Sequence, residues 1–377
     1  MNSSKRTPAA DLIRILAFFF VVSVHFLLNN GFYSQLMMGK RMLVMTIMRA
    51  LFMNCVPLFL TLSGYLLCKK QLSGKYYSKL LKIILTYVLA SFACMGYAMI
   101  AQRQLWPFKE IILKLLDFTG APYSWYIEMY IGLFLLIPFL NILYNNIPSQ
   151  KWKLCLVITF IVLTSLPSVV NEYNLHSLSW WKQPSSAIVA NKIIPAWWVG
   201  FYPLTYYFIG CYLREYGLRI KRLLNLILLL GVTLLAGIYS WWRSYGSVFI
   251  WGAWSEYQSL FNMALTVLVF AFFINLNYER SPAKLNLFIQ RLSELCLGAY
   301  LLSWIFDNKL YQILLERVPF VIYRLEYYII IVPLVFVLSL LASFLLSKIQ
   351  LCLEKLFSIA YRFIIKKTSD RNLIPQN

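Results

Sequence analysis

Arg14 and His25 stand eleven residues apart in an otherwise apolar stretch that begins at Asp11. In an α-helix that spacing is about 16 Å along the axis and about 20° around it, so both side chains leave one face, with Asp11 close by. Ionisable groups within an apolar helix are costly unless they meet each other, a substrate or an ion path. Imidazole exchanges protons near neutrality, which suits general-base or nucleophilic work, and a guanidinium suits an anionic ligand. The chain has only two histidines, which makes His25 conspicuous. Taken alone, it fits a buried imidazole bonded to a neighbouring helix as well as it fits a base. Arg14 on the same face tips the reading toward an active-site wall.

Further groups with chemical potential follow in the same third of the chain. Pro57 should kink the second apolar run, which ends in Ser63-Gly64-Tyr65, a place where a ligand or another backbone can approach closely. Ser-Gly pairs in such runs more often mark helix packing. Lys69, Lys70, Lys75, Lys79 and Lys82 come directly after it. Lys79 and Lys82 share a helix face and could clamp phosphate, although membrane topology or anionic lipid explains the same cluster. Trp125 and Glu128 open a fourth apolar run; Glu128 either orients an imidazole or an acceptor hydroxyl, or lies at the headgroup level, and Arg49 is open in the same way.

These side chains need a scaffold, and composition names it. With 60% hydrophobic and 13% charged residues, and apolar runs of about 20 residues throughout, the chain reads as an all-α integral membrane protein in the lipid bilayer. The net charge of +21 is spread as short punctuation between the runs, with no basic domain or stacking module, which argues against nucleic acid. About ten transmembrane helices are expected, with ends near 10–28, 42–67, 80–100, 125–145, 152–169, 197–213, 223–242, 259–275, 291–306 and 327–347. Placing both termini in the cytoplasm puts 22 of the 35 Lys and Arg residues inside and 11 outside. Residues 1–350 then form one transmembrane unit and 351–377 a basic cytoplasmic tail, with no soluble domain after it. Asp11 and Arg14 interrupt the first run and no small-residue cleavage site follows, so it is expected to be a retained span rather than a signal peptide. Residues 170–196 and 239–258 form aromatic outer segments that could stack on sugar rings but are better read as interfacial belts, and 108–116 forms a surface amphipathic helix. The seven cysteines are scattered without Cys-x-x-Cys, so neither disulfides nor a metal site is expected.

Taken together, Arg14-x10-His25, Pro57-Leu-Phe with Ser63-Gly64-Tyr65, Lys79-x-x-Lys82, and Trp125-Tyr126 with Gly132-Leu133 resemble the membrane acyltransferase 3 family, whose members O-acylate bacterial surface glycans. The likeness in layout covers most of the chain, and its motifs lie within residues 11–140. It implies an O-acetyltransferase of the bacterial cell membrane that uses acetyl-CoA, or another acyl-CoA, as co-substrate with no permanently bound cofactor, and a cell-surface glycan or its lipid-linked precursor as acceptor. Arg14 and His25 match the family's first-span pair, His25 as the base. Lys79 and Lys82 stand where the family has Arg-x-x-Arg, thought to contact acyl-CoA; lysine keeps the charge but loses the planar fork. Many members read Tyr-Leu-x-His late in the chain, where this sequence has Tyr300-Leu301-Leu302-Ser303.

The implied chemistry keeps the anionic end of CoA at the lysine-rich inner mouth while only its slender arm enters the membrane. His25, Arg14 and Glu128 are the expected catalytic residues. Asp11, Ser63, Gly64, Tyr65, Lys75, Lys79, Lys82, Trp125 and Ser303 are expected to bind substrate. Direct transfer and an acyl-His intermediate are both open. A flippase or transporter of a lipid-linked glycan is the alternative; it explains the spans and aromatic segments but not a phosphate-suited cluster beneath a histidine face. A glycan polymerase would need a larger arginine-bearing outer loop.

Overall fold

The computed structural model describes residues 8–186 and 190–371. Lys5 and Arg6, expected at the cytoplasmic amino end, lie outside them. Fifteen α-helices follow one another among the described residues: α1 Pro8–Asn29, α2 Gly39–Phe52, α3 Cys55–Leu67, α4 Gly74–Ala101, α5 Phe108–Leu116, α6 Trp125–Asn145, α7 Gln150–Thr164, α8 Pro167–Val170, α9 Leu178–Lys182, α10 Tyr202–Tyr216, α11 Arg222–Ser244, α12 Leu260–Ile274, α13 Ala283–Arg317, α14 Val321–Arg324 and α15 Tyr328–Arg371. An isolated bridge between Met37 and Tyr245 is the only β contact among them. The tail expected from residue 351 begins as a continuation of α15.

Eight of these helical segments are long and apolar enough to cross a membrane: Pro8–Asn29, Gly39–Leu67, Gly74–Ala101, Trp125–Asn145, Gln150–Val170, Arg222–Ser244, Ala253–Ile274 and Val321–Leu356. The two other expected spans correspond to α10, only 15 residues long, and α13, whose 35 residues carry charges that include Arg291, Glu294 and Asp307. Helix α5 forms where the amphipathic run is and leaves Phe108, Leu113 and Leu116 uncovered by protein.

Pro57 breaks the second span as its chemistry requires. Lacking an N–H and crowding the carbonyl four residues earlier, it separates α2 from α3 at Met53-Asn54. Asn54 repairs the break: its amide donates to the Leu51 carbonyl at 2.9 Å, and its oxygen accepts from Thr266 of α12 at 2.9 Å. Beyond the break α3 lies against α10 backbone to backbone. A Cβ on Gly64 would collide with the Tyr207 carbonyl, and one on Gly210 with the Thr61 carbonyl. This is the small-residue packing that lets membrane helices approach closely.

Four helices build the wall that matters for chemistry. Arg14 of α1 meets Ser293 of α13, and His25 meets Asp307 further along both helices, so the two run parallel. Helix α4 rises beside them, with Cys94 against the Leu301 carbonyl and Tyr97 against Asn308. Helix α15 descends: Tyr328 lies beside Ser23, whereas Ser343 donates to the Leu295 carbonyl at 2.7 Å and packs where Gly298 leaves room.

Candidate active site

Along α1 a cavity of about 260 Å³ touches both Arg14 and His25. Its walls come from α1, α3, α6, α13 and the segment before α12, and they are mostly apolar and aromatic: Phe59, Leu62, Tyr126, Tyr130, Tyr257 and Tyr300. Since α1 runs from Pro8 to Asn29, Arg14 sits about 9 Å from its start and His25 about 6 Å from its end. The pair therefore brackets the middle of the helix, and the imidazole belongs to its far end rather than to its centre.

His25 is buried, and its Nδ1 lies 3.2 Å from Oδ2 of Asp307, a carboxylate only 1% exposed. The two groups are close but out of line for a hydrogen bond. Tyr123 completes the group: its hydroxyl donates to the same carboxylate oxygen at 3.0 Å, accepts from the Asn29 amide at 3.2 Å, and its ring lies 3.9 Å from the imidazole. The hydroxyl of Tyr300 in turn holds the Tyr123 carbonyl. With Nδ1 facing a carboxylate, Nε2 is the nitrogen left for substrate, and a buried carboxylate at this place stabilises an imidazolium when one forms.

At the other end of the cavity Arg14 donates to Ser293 Oγ at 2.7 Å and lies 3.5 Å from Asp11. These contacts hold a guanidinium, 27% exposed, over the lumen. A second and larger cavity, about 1060 Å³, lies beneath it and is lined by Lys79, Lys82, Arg291 and Lys348. Leu67, Ile83, Tyr130 and Leu297 line both spaces, so the basic mouth and the His25 chamber meet across an apolar neck.

The structure sorts the residues singled out in the sequence. Arg14, His25, Ser63 and Trp125 line the upper cavity, and Lys79 and Lys82 the lower one. Ser63 also donates to the Phe59 carbonyl at 2.9 Å, and Trp125 stacks on Tyr257 at 5.7 Å. Asp11 is buried beside Arg14. Gly64 faces α10 and serves packing. Tyr65 turns away toward Phe270 and Arg214, and Lys75 is exposed outside both cavities. Ser303 is fully buried against its own helix, donating to the Tyr300 carbonyl. Glu128 is exposed and lines neither cavity, and among the described residues its side chain has no hydrogen-bonding or ionic partner; the carboxylate beside His25 is Asp307 instead. Arg49 is 1% exposed, donates to Tyr33 and to the Ser255 carbonyl, and lies beneath the rings of Phe249 and Trp251, fastening the segment before α12.

Asp307, Tyr123, Ser293, Arg291 and Lys348 are absent from the sequence reading of the site. Asp307 had a signal: it lies four residues beyond Ser303, one turn along the same helix face.

The chain matches a protein-family model described as an acyltransferase domain over residues 8–348. No curated protein and no solved structure matches the chain.

Proposed function

Because the chain belongs to the acyltransferase 3 family, we propose that this multi-pass membrane acyltransferase moves a short acyl group, acetyl in the simplest case, from acyl-CoA on the cytoplasmic side to a hydroxyl of a glycan on the other. One observation carries the reading: the cavity bearing His25 meets, across an apolar neck, a cavity lined by four cations. A donor with a polyanionic head, a thin arm and a reactive thioester at its tip matches that sequence of environments. The phosphates belong with the cations, the arm with the neck, and the thioester beside His25, where Arg14 guides the donor's polar groups past the neck. Counting α10 and α13 as spans gives ten helices, with both termini and the basic mouth in the cytoplasm of a bacterial cell. The Lys and Arg bias supports that orientation.

In the reaction His25 Nε2 takes the proton of the acceptor hydroxyl as its oxygen attacks the thioester carbonyl. The Asp307 carboxylate, 3.2 Å from Nδ1, stabilises the imidazolium by its charge. The tetrahedral intermediate collapses with cleavage of the carbon–sulfur bond. The departing CoA sulfur takes the proton back from His25, which leaves CoA thiol, ester and the original imidazole. The apolar and aromatic walls keep water from competing for the thioester. Trp125, 42% exposed at the cavity and stacked on Tyr257, offers the acceptor sugar a flat apolar face.

Purified protein given acetyl-CoA and its acceptor glycan should release CoA thiol and acylated glycan in equal amounts. Transbilayer movement of a lipid-linked glycan with acyl-CoA left intact would instead identify a flippase.

A further inference from the structure

The two lysines of α4 supply positive charge but no planar pair of donors, and a lysine ammonium recognises phosphate only as a point charge. The cavity they line is closed by two other helices, and these bring what α4 lacks. Arg291 of α13 is the only guanidinium among the residues lining it, and Lys348 of α15 adds a fourth cation. Among the described residues none of the four makes an ion pair. The two lining carboxylates are occupied by neighbouring amides: Gln290 donates to Glu294 at 3.0 Å, and Gln350 donates to Glu354 at 3.0 Å. The cavity thus presents four cations against two carboxylates, with Lys348 lying 5.0 Å over the Phe344 ring.

Their placement is built. Arg291 lies on the face of α13 that carries Glu294, Leu295 and Gly298, which line the same cavity. Lys348 is carried by a stretch of α15 fixed at both ends. Ser343 seats against Gly298 and bonds the Leu295 carbonyl of α13, while the Gln350 oxygen accepts from Thr86 of α4 at 3.0 Å. Three helices therefore converge on one cavity of about 1060 Å³, with apolar walls such as Leu295 and Leu346 between the cations.

We propose that this cavity is a nucleotide-phosphate site in which Arg291 is the principal anchor, gripping a donor phosphate with paired N–H groups, and Lys348 closes α15 over it. The planar fork that α4 lacks is supplied from α13. The ligand class is a nucleoside bisphosphate, the head of coenzyme A. The assignment rests on the reading of the protein as an acyl-CoA enzyme, but its test does not need turnover.

The test is equilibrium binding of radiolabelled adenosine 3′,5′-bisphosphate to the full-length protein in phosphatidylcholine vesicles. Arg291→Ala should raise Kd at least tenfold, and Arg291→Lys, which keeps the charge and controls for folding, should lose a smaller but measurable part. Lys348→Ala should raise Kd severalfold, whereas His25→Ala and Arg280→Ala, outside this cavity, should leave it unchanged. Unchanged nucleotide binding in both Arg291→Ala and Lys348→Ala overturns the assignment. So does a wild type that ignores the nucleotide in phosphatidylcholine but binds phosphatidylglycerol in an Arg291-dependent way, since the anion held there is then a lipid headgroup. Arg291-dependent binding in a protein that never transfers an acyl group would leave this site standing and remove the transferase reading. Transfer by wild type, with Kd and KM for the donor unaffected in Arg291→Ala, would do the reverse.

Discussion

Replacing Asp307 with Asn keeps the side chain's size and its acceptor for the Tyr123 hydroxyl, but removes the charge that faces His25 Nδ1 at 3.2 Å. When His25 takes the acceptor proton, the imidazolium and carboxylate attract one another. At that distance and an effective dielectric constant of about 20, the interaction is about 5 kcal/mol. Each 1.36 kcal/mol is a factor of ten, so losing it predicts a fall in kcat on the order of 10³–10⁴-fold. The amide can also leave the proton on Nε2, the nitrogen that must be the base, which acts in the same direction. On the proposed reading the donor's phosphates bind in the other cavity, so KM for acyl-CoA should change little. The assay is release of CoA thiol by purified Asp307→Asn over a range of acceptor concentrations, beside nucleotide binding to confirm a folded protein. A variant within tenfold of the wild-type kcat would show that Asp307 is a buried structural carboxylate and would refute the proposed pairing.

Other consequences concern the scaffold and the outer segments. Gly210→Ala should separate α3 from α10 and cost about 1–3 kcal/mol or more, read as a lowered unfolding temperature in detergent; an unchanged temperature would mean the helices part freely. Burial pushes the Glu172 carboxyl, in the segment after α8, up to about 7, with Glu256 adding to the rise and Arg243 opposing it. Between the ordinary carboxylate range and pH 7 the folded chain holds a proton that the unfolded chain has lost, so stability falls as pH rises through that window, by about 3 kcal/mol if the segment unfolds with the rest. Wild type should therefore melt lower at pH 8 than at pH 5, and Glu172→Gln should shrink the difference; an equal difference in both would place the titrating group elsewhere. Cysteine substitutions at Lys75 and Lys284 should label only from the cytoplasm, and those at Lys109 and Val248 only from outside. Labelling of Lys284→Cys from outside would break the ten-span topology.

What could be read from the chain in advance was whatever is encoded locally. The register of Arg14 and His25 is a property of one helix, and Pro57 carries its kink within itself, although the break falls at Met53-Asn54 because proline acts on the carbonyl four residues upstream. The meaning of Gly64 stayed open between ligand and packing until its partner Gly210 on α10 was visible. The span count is where local hydropathy runs short. Helix α10 has only 15 residues, and α13 hides the carboxylate beside His25 in a charged helix that continues to Arg317, well past the boundary expected at 306. Asp307 lay one residue beyond that boundary, and its contact with His25 joins residues that no sequence spacing relates. Glu128 drew attention as a lone carboxylate near the end of a span, but its side chain is exposed away from both cavities.

In the proposed reaction one acyl group passes from the basic mouth, through the neck, to a hydroxyl activated by His25. Sided proteoliposomes test it most directly, with radiolabelled acetyl-CoA confined to the face bearing Lys79 and Lys82 and acceptor glycan confined to the opposite face. Label should appear on the glycan, with CoA retained on the donor side, and His25→Ala should abolish transfer while still binding the donor nucleotide. Transfer that requires donor and acceptor on the same face, or that persists at near-normal rate in His25→Ala, would rule out this path.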